Sequence, residues 1–435
     1  GDRPHDEELI QRVINQGGKI IWMTEDEELK EIDQLIQSNI KLLDGLLGTG
    51  LQLPVQGKVK QVMAKVNKKI AELDSLPFVI AVDCPSGIDC DTGEASEYTI
   101  SANLTVCMGA VKEGMLNFPA FGYLGKLTVV DIGIEKYSPF LNKVKSFLID
   151  DNYVKQRLPI REKNSHKGAF GTAMIIAGCK SFPGAALLSG RAAYRTGLGL
   201  LNMVVPESVY KGLYPVFPES IWLPLPETST GAIVSAAAEV IEDYLAHTSA
   251  ILLGPGLGLE EETHRFVHAI IQNELPALVI DADGLRHMVS IDNWKSLLPE
   301  DTILTPHPGE MSAMTGLSIE DIQLDRLSIA KKYAIDWKKI IVLKGANTVI
   351  ADSSGMAAVM PFSSSVLAKA GTGDVLAGII TGLYAQGVSG FEAAVCGVWL
   401  HAHAGKLAQK KIGSAAGVLA GDIIEFIPPI LNINT

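Results

Sequence analysis

The stretch Ala368-Lys-Ala-Gly371-Thr372-Gly373-Asp374-Val-Leu-Ala-Gly sets a glycine-rich turn directly before an apolar, helix-forming run. Glycine lets a backbone approach a ligand closely, and the first turn of a helix leaves several N–H groups without intrahelical acceptors. Those donors, with the positive end of the helix dipole, suit a phosphate or another developing anion. Asp374 falls at the helix start. A carboxylate there can act as a cap, and for an isolated Gly-x-Gly-Asp that is the commoner role. Beside phosphate-holding N–H groups, the same carboxylate can take a proton from an attacking hydroxyl, as phosphoryl transfer requires. The sequence contains no G-x-x-x-x-G-K-[ST] motif, which excludes a P-loop enzyme.

Four further motifs precede this turn: Leu252-Leu-Gly254-Pro-Gly256-Leu-Gly258, Val279-Ile-Asp281-Ala-Asp283-Gly284, Thr305-Pro-His307-Pro-Gly-Glu310 and Val342-Leu-Lys344-Gly-Ala-Asn347-Thr348. Each follows a short apolar run where a strand would end, so one sheet can bring them to one rim. Asp44 and Asp83 also end strand-like runs and precede Gly-containing turns. In open α/β sheets ligands bind at that rim.

Plainer roles compete at several positions. His307, between prolines, reads alone as a turn residue. His401 and His403 are two apart, do not share a helix face, and read as packing and surface residues. Asp281 and Asp283 read as turn chemistry ahead of Gly284 rather than as a metal pair. Cys84, beside Asp83, reads as a buried thiol. Lys112, next to Glu113, reads as solvent-facing. His166 and Lys167 either touch a nucleotide or only begin a domain.

The motifs need strands to carry them. Up to residue 135, strands are expected at 19–23, 40–44, 78–83, 104–107 and 127–131, with helices at 25–37 and 58–73. Phe78-Val-Ile-Ala-Val-Asp83 is an uninterrupted apolar run of the kind buried on both faces of a parallel sheet. Pro139, Pro159 and Arg161-Glu-Lys163 mark a connector. Beyond His166, strands are expected at 173–177, 201–205, 250–253, 277–281, 340–343 and 348–351. Helices are expected at 184–196, 232–244, 260–271, 321–333, 374–385, 391–409 and 418–426. The resulting organisation is α/β throughout, with domains at 1–136 and 165–435 and a connector at 137–164.

The 435 residues are 47% apolar and 20% charged, enough for sizeable cores and too balanced for intrinsic disorder. Lys and Arg number 37 against 49 Asp and Glu, a net charge of −12. Without a basic run, binding to nucleic acid or an anionic membrane is not expected. Five scattered cysteines without a C-x-x-C pair fit a reducing cytosol better than a disulfide framework or a zinc site. No apolar run is long enough for a membrane span, and the polar start is unlike a secretory signal, so a cytoplasmic protein is expected.

From about His166 to Pro429 the chain resembles the ribokinase-like ADP/ATP-dependent NAD(P)H-hydrate dehydratases. The five ordered motifs carry the resemblance, together with His166-Lys-Gly168, Pro183-Gly-Ala-Ala186 and Arg195-Thr-Gly-Leu-Gly199. From about Asp44 to Ile134 it resembles the NAD(P)H-hydrate epimerase domain that precedes the dehydratase in bacterial bifunctional enzymes. There the matching residues are Asp44-Gly-Leu-Leu-Gly48-Thr-Gly50, Val82-Asp83-Cys-Pro-Ser86-Gly87-Ile-Asp89 and Gly109-Ala-Val-Lys112. The resemblance implies a Rossmann-like three-layer domain, incomplete here, followed by a ribokinase-like α/β domain.

It also implies a chemistry. The dehydratase uses a nucleotide to remove water from a hydrated nicotinamide ring, and bacterial members convert ADP to AMP and phosphate. ADP is therefore expected, ATP is possible, and Mg2+ accompanies the nucleotide. Asp374 would be the base at the substrate hydroxyl, with the N–H groups of Gly371, Thr372 and Gly373 stabilising the transferring phosphoryl group. Lys344, Gly345, Ala346, Asn347, Thr348 and Gly373 match nucleotide-contacting positions. Ala185, Gly256, His307 and Asp374 match positions that meet the hydrated nicotinamide of NADHX or NADPHX. In the epimerase-like part, Asp44 and Ser86 would hold potassium (K+). Gly48, Thr49, Gly50, Leu51, Gln52, Leu53 and Pro54 would meet the dinucleotide phosphates, Asp83 would contact substrate, and Lys112 is a candidate proton-transfer partner. Family members form homo-oligomers, and one is expected here.

One departure stands out. The family's epimerase domain starts with helices and an Asn-Asn-Gly-Gly-Asp loop that supplies phosphate contacts and another potassium ligand, and these 435 residues contain no such loop. The chain is expected to start after the first strand and its loop, to leave a sheet edge exposed, and to have weak epimerase activity beside intact dehydratase activity. Two alternatives remain: an ATP-dependent small-molecule kinase of the ribokinase-like superfamily, and an N-terminal part that only binds nucleotide or mediates oligomerisation.

Overall fold

In the computed structural model of the chain, residues 7–22, 29–37, 40–133 and 143–432 are described. They belong to two compact units, Gly1–Lys143 and Val144–Thr435. No helix among the described residues is long and apolar enough to cross a membrane.

Among its described residues the first unit holds four parallel strands in sequential order: β1 (Lys41–Asp44), β2 (Phe78–Val82), β3 (Leu104–Met108) and β4 (Lys126–Val130). The helix Gly57–Ala71 presents Val62, Met63 and Val66, which cluster with Val79 of β2. β1 is an edge strand, and Leu43 on it is 66% exposed. The strand expected at 19–23 is not formed: Lys19–Trp22 has no regular structure, and Met23 lies outside the described residues. A short apolar run becomes a strand only when another strand pairs with it, and periodicity does not report pairing. Of the helix expected at 25–37, Lys30–Leu35 is helical, and 25–28 lie outside the described residues.

The second unit is built on ten strands: β5 (Ser146–Leu148), β6 (Thr172–Ile176), β7 (Leu200–Pro206), β8 (Ile221–Leu225), β9 (Ala250–Leu253), β10 (Ala277–Ile280), β11 (Ile303–Leu304), β12 (Ile340–Leu343), β13 (Val349–Ala351) and β14 (Ala357–Val359). Their order is β5-β14-β13-β12-β11-β10-β9-β6-β7-β8, parallel except for the β12–β13 and β13–β14 pairs. β6, β9, β10 and β12 are apolar runs buried along almost their whole length, as a parallel sheet covered on both faces requires. From β6 the chain moves outward to β7 and β8, then returns to β9 on the other side. This reversal opens a crevice at the carboxyl ends of β6 and β9, where such sheets bind ligands.

Several local expectations are corrected. The stretch read as a connector contributes an edge strand, because Ser146–Leu148 pairs with β14, and it also carries the short helix Asp151–Lys155. The helix expected at 321–333 is two helices, Ile319–Leu324 and Arg326–Trp337. Asp325 divides them, its carboxylate accepting the Ser328 N–H at 3.2 Å as the cap of the second. The helix expected at 232–244 is shortened to Ala238–Leu245. β8 was not expected. It contains Pro224, which an edge strand tolerates because one side of its ladder needs no donor.

Candidate active site

The five motifs converge as their positions after strands predict. The Gly254–Gly258 turn follows β9, Asp281 follows β10, Thr305 follows β11 and Lys344 follows β12, and these four strands are parallel neighbours. The fifth motif opens the helix Thr372–Ala385, whose N-cap Gly371 has φ +87°. A side chain at Gly371 would be strained by that φ, and its Cβ would press within 2.7 Å of Leu188 Cδ1 and 3.1 Å of Ala420 Cβ. Gly256, with φ +65°, is equally confined, since a Cβ there would meet Ala185 Cβ at 2.8 Å. Ala185 and Gly256 are therefore in contact beside the crevice, and Leu188, on the same helix as Ala185, abuts Gly371.

The N–H groups of the helix start are not equivalent. That of Thr372 turns back to Lys369 O (3.3 Å), and its hydroxyl lies 2.7 Å from Leu367 O and 2.8 Å from Lys369 O. Thr372 thus fastens the turn instead of offering a free donor, which corrects its expected part as a phosphoryl-stabilising N–H. The N–H groups of Gly371 and Gly373 have no acceptor among the described residues.

Charge is concentrated around this helix start. Lys344 Nζ lies 2.6 Å from Asp281 Oδ1 and 3.8 Å from Glu310 Oε2. Asp281 Oδ1 also accepts from the Thr305 hydroxyl at 2.6 Å. Burial works against the Lys344 ammonium, but Asp281, Glu310 and Asp374 outweigh it and raise the pKa, so Lys344 is a cation. Its Nζ would lie 3.6 Å from a Cβ on Gly373, beside the free N–H groups. Asp374 is pushed up to about 7, by burial first and by Asp281 and Asp283 next, with Lys344 pulling the other way. A carboxyl poised near neutrality beside anion-holding donors has the properties of a general base.

A cavity of about 390 Å³ lies on one side of the helix start, lined by Lys344, Gly345, Ala346, Thr348, Phe362, residues 363–365, Thr372, Gly373 and His401 among others. The expected nucleotide positions are gathered there with one exception: Asn347 is buried, does not line the cavity, and donates its N–H to Phe362 O (3.1 Å). Beneath the loop lies Arg326, 8% exposed, which donates to Leu343 O (2.8 Å) and Lys344 O (3.2 Å) and holds the strand end in place.

His307, read alone as a turn residue, is the N-cap of the helix Pro308–Thr315. Its Nδ1 accepts the N–H groups of Gly309 (3.0 Å) and Glu310 (3.1 Å), while Glu310 Oε2 accepts the His307 N–H (2.8 Å). That fixes Nε2 as the protonated nitrogen of the neutral ring, on a side chain 49% exposed. Asp283 accepts the Gly258 N–H at 3.0 Å, and His287 Nε2 lies 2.7 Å from Gly258 O, so both backbone groups of that turn are anchored. No group of three His, Cys, Asp or Glu side chains among the described residues forms a metal site. Asp281, Glu310, Arg326 and His401 are site residues that sequence reasoning missed. Only Asp281 and Glu310 carried a signal, inside strand-end motifs. His403 is a packing residue, stacked on Trp399, but His401 lines the cavity.

In the first unit, Asp44 is 3% exposed, and its carboxylate accepts the Ser86 N–H (2.7 Å) and the Ser86 hydroxyl (2.5 Å). Residues 48–54 form the mostly exposed turn after β1. Asp83 adopts φ +71°, uncommon for a residue with a Cβ and a mark of functional sites. Its Oδ1 accepts the Met108 N–H (2.9 Å) and pairs with Lys112 Nζ. Lys112 thus folds inward, contrary to its reading as solvent-facing. Cys84 is fully buried, and a hydrogen bond with Cys90, followed by burial, pushes its thiol up, so it is not a thiolate nucleophile.

Comparison with known proteins agrees with both units. The family model described as NAD(P)H-hydrate dehydratase matches residues 173–429, and that described as YjeF-related protein N-terminus matches residues 4–114. The chain is 33% identical over 431 residues to the bifunctional NAD(P)H-hydrate repair enzyme of Moorella thermoacetica, covering 99% of this chain and 79% of that one. For the enzyme of the same name from Thermofilum pendens the identity is 32%, with 98% and 79% covered. The ADP/ATP-dependent NAD(P)H-hydrate dehydratase of Bacillus subtilis, co-crystallised with ATP/Mg2+, superposes with a TM-score of 0.56 at 31% identity, over 66% of this chain and 98% of that one. By these matches over nearly its whole length, the chain belongs to the family of bifunctional NAD(P)H-hydrate repair enzymes.

Proposed function

We propose that the second unit restores NADH or NADPH from the S form of its hydrate, using ADP and releasing AMP and phosphate. Hydroxide is a poor leaving group, and phosphorylating the ring hydroxyl makes it a good one. The observation that carries this reading is the helix start at the nucleotide-sized cavity, where the Asp374 carboxyl, its pKa pushed up to about 7, lies beside Gly371, which Leu188 on the helix of Ala185 abuts. Asp374 takes the proton of the substrate hydroxyl as that oxygen attacks the terminal phosphoryl group. The N–H groups of Gly371 and Gly373, with Lys344, face the charge that spreads over the phosphoryl oxygens. AMP departs as the ring oxygen bonds to phosphorus; the ring C–O bond then breaks with phosphate taking the electron pair, the neighbouring ring carbon loses a proton to solvent, and the ring double bond re-forms. Mg2+ would arrive with the nucleotide phosphates, and no protein ligand set is assigned to it. A plain small-molecule kinase has less support, because relatives spanning both units are hydrate repair enzymes.

The deciding experiment adds the S hydrate of NADH, ADP and Mg2+ to the full chain and follows the absorbance of reduced nicotinamide. A rise with stoichiometric AMP is expected. No rise with ADP or ATP, or a stable phosphorylated product, would overturn the reading.

For the first unit we propose an R/S hydrate epimerase site in which Asp83 contacts substrate and Lys112 moves the proton. Their ion pair supports this reading. The buried carboxylate of Asp44, the Ser86 hydroxyl and Leu47 O, 3.5 Å from that hydroxyl, form an oxygen-only cluster of the kind a potassium ion takes. R-to-S interconversion, followed by chromatography of the two hydrates, tests this: Lys112→Met is expected to slow it strongly, and a parent-like rate in that variant would refute the assignment of Lys112.

A further inference from the structure

Arg326 begins the helix Arg326–Trp337, and its guanidinium makes three hydrogen bonds, all to uncharged oxygens. Nη2 donates to Leu343 O and Lys344 O, and Nη1 donates to Gln323 Oε1 at 2.6 Å. Nε has no acceptor among the described residues, and no carboxylate there pairs with the side chain. Burial alone lowers its pKa, to about 10, so the charge persists at neutral pH. A buried cation without a counter-ion is costly, and holding two carbonyls does not require one.

Consecutive carbonyls of an extended strand point to opposite sides. Here two in succession turn to one nitrogen, so the chain bends at Lys344. The Lys344–Gly345 peptide bond is trans, and across a trans peptide the N–H points opposite to the C=O. With Lys344 O drawn to Arg326, the Gly345 N–H is aimed to the other side of the loop. Gly345 lines the cavity, Arg326 does not, and that N–H has no acceptor among the described residues. Gly345 also leaves room for the guanidinium: with φ +144°, a Cβ there would lie 3.1 Å from Nη2 and 3.2 Å from Nη1.

We propose that Arg326 is a positioning residue of the nucleotide site: by drawing the Leu343 and Lys344 carbonyls to itself it aims the Gly345 N–H at a phosphate oxygen of the nucleotide, and its unpaired charge behind the loop favours the same anion. The inference rests on the nucleotide-dependent function proposed above.

The test compares the full-length parent with R326Q and R326K, by calorimetric titration with ADP in Mg2+ and by steady-state kinetics. R326Q should weaken ADP about tenfold in Kd and KM. Its kcat and its KM for the hydrate should stay parent-like, because the Gly345 contact holds the phosphate equally before and during transfer. R326K keeps the charge but not the fork that reaches both carbonyls and Gln323, and should fall between the two. A second readout follows the N–H itself. Lysine labelled with 13C at the carbonyl and glycine labelled with 15N give signals only for Lys167-Gly168, Lys211-Gly212 and Lys344-Gly345, and K167R and K211R identify the first two. ADP should shift the Gly345 signal strongly in the parent and weakly in R326Q.

Parent-like ADP affinity in a folded R326Q would overturn the inference. So would an equal rise in the KM of the hydrate, which marks a general loosening, or a Gly345 signal in the parent that saturating ADP leaves in place. If R326Q does not fold, R326K decides, and parent-like affinity with a parent-like Gly345 shift would overturn it. Failure of the parent itself to bind ADP would overturn the proposed function and this inference together, whereas a binding parent with an indifferent Arg326 overturns only the latter.

Discussion

Asp374→Asn is expected to lower the dehydration rate by roughly 10²–10⁴-fold, the usual contribution of a positioned general base, and at the same time to stabilise the fold. The activity effect follows from losing the only function the amide cannot perform, acceptance of a proton. In the parent, kcat/KM should rise with pH through an inflection near 7, because the base must be ionised. The stability effect follows from the same raised pKa. Asp374 binds its proton more tightly folded, at about 7, than at its ordinary 3.8. Between those values the folded state holds more protons than the unfolded one, so stability falls as pH rises and then stays low. Asparagine removes this penalty, by about 2 kcal/mol above pH 7 once solvent on the exposed side of the carboxyl is allowed for. The gain in thermal midpoint should therefore be larger at pH 8 than at pH 5. Parent-like turnover would remove Asp374 from the reaction, and an equal gain at both pH values would remove its raised pKa.

Lys344→Met should have the largest effect on stability. The substitution keeps the length of the side chain and deletes its charge, leaving Asp281, 1% exposed, and Glu310, 6% exposed, without their counter-ion. Breaking a buried pair from one side typically costs about 3–5 kcal/mol. Urea unfolding should show a loss of that order, and ADP binding should disappear with it, because Lys344 also faces the cavity. The double variant Lys344→Met/Asp281→Asn separates the two effects. It should regain much of the stability, since no charge is left stranded at Asp281, but none of the nucleotide binding. Recovery of binding in the double variant would mean that Lys344 is structural only. In the parent the ion pair's stabilisation should persist up to alkaline pH, because the Lys344 pKa is raised above 10.5, and be lost only as pH passes that raised value.

Both results depend on features that were unequally legible in the sequence. The Gly371-Thr372-Gly373-Asp374 turn announced itself because its chemistry is local: glycines free the backbone, and a helix start supplies the donors. The strand-end motifs were legible for the same reason, since continuous apolar runs such as Ala250–Leu253 and Ile340–Leu343 mark buried parallel strands. Short strands near the sheet edge were not. Ser146–Leu148 and Ala357–Val359 are three residues each and become strands only by pairing, the first with the second and the second also with Val349–Ala351. Lys19–Trp22 has comparable apolar character and forms none.

The sequence by itself determined the α/β class, the order of the ligand-facing motifs and the identity of the aspartate at the helix start, because each is written within a few consecutive residues. Tertiary structure alone decided which groups meet. It joined Lys344 to Asp281 across 63 positions, fastened Thr372 back onto its own turn, buried Asn347 away from the cavity and turned His401 into it. It also folded Lys112 onto Asp83. A pKa near 7 for Asp374 is likewise a property of the assembled site. Burial and neighbouring charge set it, and both come from segments far apart in the chain that only the folded sheet brings within reach of one another.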